Sequence, residues 1–180
     1  MREKIVLQTK GFDVIQREEA DSHVWHYVRR KEGVAILALT DDHEVILVRQ
    51  RRPAISDILI EIPAGGIERG DTDLTAEASR ELKEETGFEA GKLEKMIEMY
   101  PSPGYYTEKT HIFLATHLSR SQQRLTELEK QNQLKVMQLP LPKVLEMICE
   151  GEITDAKTIV AVCLYTQKKL PNNGQQRASR

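Results

Sequence analysis

The segment Arg-Glu-Leu-Lys-Glu-Glu-Thr-Gly-Phe at residues 80–88 constrains the fold of this chain more than any other stretch. In an α-helix, residues four apart lie about 40° apart around the axis and about 6 Å apart along it, so Glu81 and Glu85 project from the same side. Glu84 lies one turn from Glu81, and Glu77 extends the same face. The spacing therefore predicts a helix that gathers its carboxylates on one side.

The opposite side of this helix is apolar. Leu74, Ala78 and Leu82 form a stripe that can pack against a sheet. We predict a helix from about residue 73 to residue 86, which Gly87 closes because glycine readily adopts the left-handed conformation that ends helices. The helix is therefore expected to bury its apolar stripe and to turn its carboxylates toward a neighbouring loop.

The carboxylates of this helix need a counter-charge. Like charges four residues apart repel each other by roughly a few tenths of a kcal/mol even in water, and partial burial raises that cost. A hard divalent cation with oxygen ligands, Mg²⁺ in particular, relieves the repulsion. Arg80 can reach Glu84 and hold it in place for catalysis. A charged face that is merely solvated is the competing interpretation of a glutamate-rich helix.

Strand-like segments lie on both sides of this helix in the sequence, and two further helices follow them. The strands are predicted at residues 3–8, 12–18, 23–30, 34–39, 44–49, 58–62, 93–100, 110–117 and 134–139. The later helices are predicted at residues 142–150 and 155–168, with Asp155 as the N-cap of the second. This pattern predicts an α/β sandwich with helices on both faces of a mixed sheet. We expect one domain over residues 1–170 and a flexible polar tail at 171–180.

The composition excludes several classes of partner. The formal net charge of −2 gives no general attraction to nucleic acid or to an anionic membrane. No apolar run approaches the roughly 18 residues of a membrane span, and the N-terminal residues are too charged for a secretory signal. We therefore expect a soluble, cytoplasmic protein with no long nucleic acid and no membrane as partner. Cys149 and Cys163 are expected to be buried thiols.

Residues 80–88 resemble the second half of the signature of the Nudix hydrolases, Arg-Glu-apolar-x-Glu-Glu-x-Gly-apolar, and match it at every position. By average residue usage, such a match arises by chance on the order of 10⁻⁵ times in a chain of this length. The resemblance implies a Nudix-type α/β/α sandwich with a mixed sheet and a loop-helix-loop catalytic segment. It also implies a pyrophosphohydrolase that uses Mg²⁺, with Mn²⁺ as an alternative.

The first half of the Nudix signature, a glycine followed after five residues by a glutamate, is less regular here. Counting back from Arg80 places the two positions on Gly66 and Thr72, whereas counting forward from Gly65 places Asp71 at the glutamate position. The second alignment is preferred because intervening residues then also resemble those of relatives. It implies one extra residue in the loop before the helix and an aspartate in place of the glutamate.

By this resemblance, the carbonyl of Ala64 and the carboxylates of Glu81 and Glu85 bind the metal, and Glu84 assists. The substrate branch is indicated by Pro103, which lies 15 residues after the last residue of the signature, as in the ADP-ribose pyrophosphatases. The segments at residues 48–53, 61–65 and 151–155 resemble the same branch and its GDP-mannose-cleaving relatives. The implied substrate is a nucleoside diphosphate sugar, with ADP-ribose first and GDP-mannose second. The products are a nucleoside monophosphate and a sugar phosphate.

Two other functions compete with this one. One is a Nudix enzyme that acts on another nucleoside diphosphate derivative. The other is a non-catalytic module that senses a nucleotide sugar. Such a sensor is expected to lose one or more helix carboxylates, whereas Glu81, Glu84 and Glu85 are all present.

The general base is expected in an acidic loop, because members of this branch often take it from a mobile loop after the strand at 110–117. Here the loop covers residues 119–133 and is long enough to close over the site. We hypothesise that Glu129 or Glu127 activates the attacking water, with Glu84 as the alternative.

Substrate contacts are expected from charged and aromatic residues. Arg51 or Arg52 can make a bidentate contact with a phosphate, and Glu61 can contact the ribose or the base. Aromatic rings that can stack on the base are those of Tyr105, Tyr106 and Trp25. Relatives commonly form homodimers in which N-terminal strands exchange, and the polar, alternating strands before residue 30 are compatible with such a dimer.

Overall fold

The computed structural model describes residues 1–67 and 73–169. Its first three strands form an antiparallel sheet of their own, in the order β1-β2-β3. They are β1 (Arg2–Gln8), β2 (Asp13–Glu18) and β3 (Val24–Arg29). The predictions of these strands are confirmed. β1 is exposed along its whole length, because no other element of the described chain packs on it closely enough to bury a residue.

The central sheet has seven strands and is mixed. They are β4 (Gly33–Leu39), β5 (Glu44–Arg52), β6 (Asp57–Glu61), β7 (Ala64–Gly66), β8 (Phe88–Met99), β9 (Thr110–Arg120) and β10 (Lys135–Pro140). The order is β10-β5-β4-β9-β8, with β6 paired to β5 and β7 paired to β4. Strands β4 and β9 run parallel, whereas the other pairs are antiparallel. All residues of β4 are buried because both faces of the sheet are covered.

Helices cover the two faces, which confirms the predicted α/β sandwich. They are α1 (Leu74–Thr86), the short α2 (Glu127–Gln131), α3 (Leu141–Cys149) and α4 (Ala156–Lys169), with a 3₁₀ turn at Pro53–Ile55. On one face, Ala78 and Leu82 of α1 pack with Ile36 of β4. On the other face, α3 and α4 pack on Leu37, the next residue of the same strand. Successive side chains of β4 point to opposite faces of the sheet, so this strand contributes residues to two separate cores.

The two long helices next to the site begin and end as their local sequences predict. Asp73 caps α1 by accepting a hydrogen bond from the N–H of Thr75 at 2.9 Å, and Gly87 ends it at a φ of 70°. Asp155 caps α4, because its Oδ2 accepts a hydrogen bond from the N–H of Thr158 at 2.9 Å. Local capping therefore sets where both helices start.

Some expectations were wrong or incomplete. Cys149 and Cys163 are exposed rather than buried, because each lies on the side of its helix that turns away from the sheet. Residues 119–133, expected as a loop, contain α2, and Ala64–Gly66 forms a paired strand. No helix in the described part of the chain is both long and apolar enough to cross a membrane. The positions of Asp71 and Thr72 in the signature, and the tail at 171–180, lie outside the described residues.

Candidate active site

The carboxylates of α1 turn toward the short strand β7. Glu81 and Glu85 are 6% and 3% exposed, whereas Glu84 is partly exposed. The backbone N–H of Ala64 donates a hydrogen bond to Glu85 Oε2 at 3.0 Å. A Cβ added to Gly65 would lie 2.1 Å from the carboxyl carbon of Glu81. The strand therefore needs glycine here to leave room for the carboxylate.

A third carboxylate, from outside α1, reaches the same place. One oxygen from each of Glu81, Glu85 and Glu129 lies within 4.8 Å of the others. Glu129 sits in α2, where it forms a capping box with Thr126: the Thr126 N–H donates to Glu129 Oε2 at 2.5 Å. Glu127 is exposed and pairs with Lys130 at 2.6 Å. The structure thus brings Glu129, and not Glu127, to the helix carboxylates.

The segment that carries Glu129 is attached at both ends. Before α2, three hydrogen bonds reach carbonyls at the C-terminus of α1: Ser121 N–H to Gly87 at 2.7 Å, Arg124 N–H to Glu84 at 3.0 Å and Gln123 Nε2 to Glu85 at 2.5 Å. After α2, the carbonyl of Asn132 accepts a hydrogen bond from the N–H of Arg51 at 2.8 Å. These contacts set the position of α2 relative to α1 and β5.

Burial makes the carboxylates of this site hard to ionise. Desolvation is the main cause that raises the pKa of Glu85 to about 8, and the neighbouring Glu81 and Glu129 raise it further against the hydrogen bond from Ala64. Desolvation also raises the pKa of Glu81 to about 7, opposed by Arg80. All the ligand atoms in this cluster are hard oxygens, which is the donor set that divalent cations such as Mg²⁺ take. The residues therefore fit a divalent cation.

Arg80 joins the glutamates of the helix into one network. Its guanidinium donates to Glu77 at 2.7 Å, to Glu81 at 2.6 Å and to Glu84 at 2.7 Å. Desolvation lowers the pKa of Arg80, but these carboxylates outweigh it and raise the pKa above its usual value. The predicted reach from Arg80 to Glu84 is thus present, and Arg80 holds two further carboxylates that the prediction did not include.

The carboxylates open into a cavity of about 700 Å³, which we call the carboxylate cavity. Its lining also contains cationic side chains from the β1–β2 loop, the end of β3 and the end of β5, which we call the basic rim. They are Lys10, Arg29, Arg30, Lys31 and Arg52. A cavity with an acidic floor and a basic rim suits a polyanion that shares a cation with the floor.

The predicted phosphate-binding arginines have different positions. Arg52 lines the carboxylate cavity, and its guanidinium donates two hydrogen bonds of 2.6 Å to Glu61. Glu61 is 1% exposed and also pairs with Lys157 at 3.3 Å. Arg51 is exposed and is not among the residues that line this cavity. Neighbouring residues of a strand point to opposite sides, so only one of the two can reach the cavity.

Pro103 and Tyr105 lie apart from the carboxylates in this chain. They line a separate cavity of about 280 Å³, together with Trp25 of the N-terminal sheet. Tyr106 lines this cavity too, and it also lines a further cavity beside Arg52 and Glu61. The structure does not bring Pro103 or Tyr105 to the acidic floor.

Sequence reasoning missed two residues near the site. Lys157 lies between Glu61 and Asp155, with its Nζ 2.5 Å from Asp155 Oδ1. The available signal was its place two residues after the N-cap of α4. Gln123 joins the α2 segment to α1, and nothing in its sequence surroundings indicates that contact.

Comparisons with known proteins agree with this geometry. The NUDIX domain family matches residues 29–157 of the chain. An ADP-ribose pyrophosphatase of Bacillus subtilis is 39% identical over 142 residues, which cover 79% of this chain and 75% of the relative. A GDP-mannose pyrophosphatase of Salmonella typhimurium is 31% identical over 162 residues, covering 86% and 84%. The crystal structure of an ADP compounds hydrolase has a similar fold, with a TM-score of 0.76 at 24% identity over 99% of this chain and 95% of that one.

Proposed function

Because this chain belongs to the NUDIX family, we propose that it hydrolyses the pyrophosphate bond of a nucleoside diphosphate sugar, with ADP-ribose as the first candidate and GDP-mannose as the second. The products are a nucleoside monophosphate and a sugar phosphate. The observation that carries the proposal is the convergence of Glu81, Glu85 and Glu129 beneath a basic rim. The substrate class is supported by two relatives, an ADP-ribose pyrophosphatase and a GDP-mannose pyrophosphatase.

Enzymes of this family use a divalent metal ion, and we propose Mg²⁺ here, with Mn²⁺ as the alternative. Glu81, Glu85 and the carbonyl of Ala64 would hold the ion, and Glu84 would assist. The bound ion neutralises negative charge on the diphosphate and makes a bound water more acidic. This assignment is supported by the buried, all-oxygen character of the cluster and by the space that Gly65 leaves for Glu81.

We assign the role of general base to Glu129. A general base has to lie within reach of the attacking water and be free to take its proton. Glu129 lies beside the two buried helix carboxylates, whereas Glu127 is exposed and paired with Lys130. Glu84 is a weaker alternative, because its carboxylate is held in an ion pair with Arg80 at 2.7 Å. Arg80 then acts by holding the glutamates in place.

Arg52 is the side chain that we assign to the substrate phosphates. It lines the carboxylate cavity, and its pairing with the buried Glu61 presets the orientation of the guanidinium. Glu61 acts through Arg52 in this proposal. A contact from Arg51 is less well supported, because that side chain does not line the cavity. The contacts of Pro103 and Tyr105 with substrate stay predictions, because both line a separate cavity.

We further propose a homodimer and a cytoplasmic location, with no long nucleic acid and no membrane as partner. The dimer is supported by large apolar side chains that are exposed on the N-terminal sheet: Ile5, Val6, Leu7, Val24 and Trp25. The expectation of no long nucleic acid and no membrane as partner is supported by the net charge of −2. One domain over residues 1–170 remains part of the proposal.

A substrate panel with Mg²⁺ tests the proposed function. ADP-ribose, GDP-mannose, ADP-glucose, NADH and a diadenosine polyphosphate are compared by kcat/KM, with phosphate release after added phosphatase as the signal. The expected result is the highest kcat/KM for ADP-ribose or GDP-mannose, and the loss of all activity in Glu85→Gln. A tenfold preference for a substrate without a terminal sugar would contradict the proposal.

A further inference from the structure

The cavity beside Arg52 and Glu61, which we call the second cavity, adjoins the carboxylate cavity. It shares Arg52 and strand β7 with that cavity. Its volume is about 360 Å³, at the lower end of the range for small-molecule pockets. It reaches from β7 to the N-terminus of α4 and to the Tyr106–Thr110 region. A substrate whose diphosphate lies over the carboxylates therefore has space for one of its ends here.

Among the described residues that line this second cavity, positive and negative charges cancel. They include three cations, each paired with a carboxylate of the same lining. The pairs are Arg30 with Glu108 at 3.2 Å, Arg52 with Glu61 at 2.6 Å and Lys157 with Asp155 at 2.5 Å. With this balance, the cavity has no strong attraction for a phosphate beyond the one that Arg52 meets where the two cavities join. It suits a polar but uncharged group.

Two of these side chains keep hydrogen-bonding capacity. The ammonium of Lys157 has three N–H donors, and its contacts in the described chain are with Asp155 and Glu61. Within residues 1–67 and 73–169, Glu108 Oε1 accepts only a long hydrogen bond of 3.3 Å, from Thr110. A donor and an acceptor in one cavity match hydroxyl groups, because each hydroxyl both donates and accepts.

The remaining walls favour a sugar over a nucleobase. Tyr106 is the one aromatic residue among the described residues that line the cavity, and its hydroxyl bonds to Glu108 and Arg30. Val34, Leu59 and Pro101 contribute aliphatic surface. A flat base is normally held by aromatic stacking, for which the described lining offers the ring of Tyr106, whereas the C–H faces of a sugar ring can pack on that ring and on the aliphatic walls alike.

We propose that this second cavity binds the uncharged sugar end of the nucleoside diphosphate sugar, and that Glu108 and Lys157 select for its hydroxyl groups. The inference rests on the proposed function and names the site for one half of that substrate. Glu108 and Lys157 contact the sugar and not the bond that breaks. Their substitution is therefore expected to act on the choice of substrate.

Paired substrates test the sugar site. ADP-ribose is compared with the methyl ester of ADP, which has the same pyrophosphate bond and no terminal sugar. In Glu108→Gln, the ratio of kcat/KM for ADP-ribose to that for the methyl ester is expected to fall about tenfold or more, the effect of one lost hydrogen bond to a charged group. Leu59→Trp, which fills the cavity without changing its charge, is expected to lower the same ratio.

The control is Glu94→Gln, the same substitution at an exposed carboxylate of β8 that pairs with Lys92 and does not line the cavity. Its ratio is expected to equal that of the wild type. Variants are compared only if their melting temperatures match the wild type, and Leu59→Trp replaces Glu108→Gln if that variant fails to fold. If the wild type cleaves both ADP-ribose and the methyl ester of ADP, and the ratio of kcat/KM is unchanged in Glu108→Gln or in Leu59→Trp, the sugar site alone is overturned. If the wild type cleaves neither ADP-ribose nor the methyl ester of ADP, the proposed function is overturned, and the sugar site with it.

Discussion

Gly65 shows how one residue can shape the site. The hydrogen atom of glycine leaves the space that the Glu81 carboxylate occupies, whereas a Cβ would lie 2.1 Å from its carboxyl carbon. Because Glu81 is buried and bonded to Arg80, it has little freedom to move aside. The close approach of β7 and α1 therefore depends on glycine at this position.

We predict that Gly65→Ala lowers kcat about 100-fold, the effect of displacing a catalytic group by roughly 1 Å. Gly66→Ala is the matched control, because a Cβ there meets no atom within 4 Å. Steady-state kinetics with ADP-ribose and Mg²⁺ measures both variants. Equal activities in the two would show that the Glu81 position does not limit catalysis.

A second prediction at this scale separates the two candidate bases. Glu129→Gln is expected to lower kcat by about 10²- to 10⁴-fold, the usual contribution of general base catalysis. Glu127→Gln is expected to change it by less than about twofold, because that exposed side chain makes only a surface ion pair with Lys130. The measurement is kcat under saturating substrate. If Glu127→Gln lowers kcat more than Glu129→Gln does, the role of general base belongs to Glu127 and not to Glu129.

Among the elements, α1 and α2 depend on each other. The segment before α2 donates hydrogen bonds to carbonyls at the C-terminus of α1, so the helix that holds the buried carboxylates also positions Glu129. Unpaired carbonyls at a helix end need donors, and here a loop supplies them. Glu129 is thus held by an anchored segment.

We predict that Gln123→Ala, which removes the hydrogen bond to the Glu85 carbonyl, lowers kcat about 2- to 10-fold with little change in KM. Gln122→Ala is the control, since its exposed side chain has no such bond to α1. Steady-state assays with ADP-ribose give both kcat and KM. If KM rises and kcat stays constant, the α2 segment contributes to substrate binding and does not position the general base.

The acidic face of α1 gives a prediction for the metal-free protein. Because desolvation raises the pKa of Glu85 from 4.5 to about 8, ionising this carboxyl opposes folding. Its contribution to stability is complete below pH 4.5 and is lost as the pH rises to about 8. In EDTA, the melting temperature of the wild type is expected to fall from pH 6 to pH 9 more than that of Glu85→Gln.

Added Mg²⁺ is expected to raise the melting temperature of the wild type at pH 8 and to have a smaller effect on Glu85→Gln, because ion binding to the folded state stabilises it. Thermal-shift curves with EDTA and with Mg²⁺ measure both effects. Identical pH dependence in the two proteins would remove Glu85 as the cause.

At the scale of the whole molecule, the exposed apolar side chains of the N-terminal sheet predict self-association. Trp25 is 52% exposed and Val6 53%, which is costly for a monomer in water. The wild type is expected to elute at the mass of a dimer, and Trp25→Glu with Val6→Glu at the mass of a monomer. Light scattering behind a sizing column measures this. A monomeric wild type at micromolar concentration would contradict the homodimer.

The sequence alone determined the structural features that depend on residues close to one another in the chain. Helix α1, its end at Gly87 and the grouping of Glu81, Glu84 and Glu85 all follow from spacings of a few residues, because capping and helical periodicity act over one or two turns. The strands and the α/β class followed from alternation and apolar runs in the same way. The apolar stripe of Leu74, Ala78 and Leu82 packs on the sheet as predicted, whereas the depth at which Glu81 and Glu85 are buried was not predicted.

Only the tertiary structure decided the contacts between distant segments. Whether Glu127 or Glu129 reaches α1, and whether Arg51 or Arg52 lines the cavity, depends on strand register and on how the α2 segment is attached. A shift of one residue turns a strand side chain to the other face, so composition cannot distinguish such neighbours. The pairing of Lys157 with Glu61, 96 residues away, likewise exists only because the fold brings the N-terminus of α4 to the end of β6.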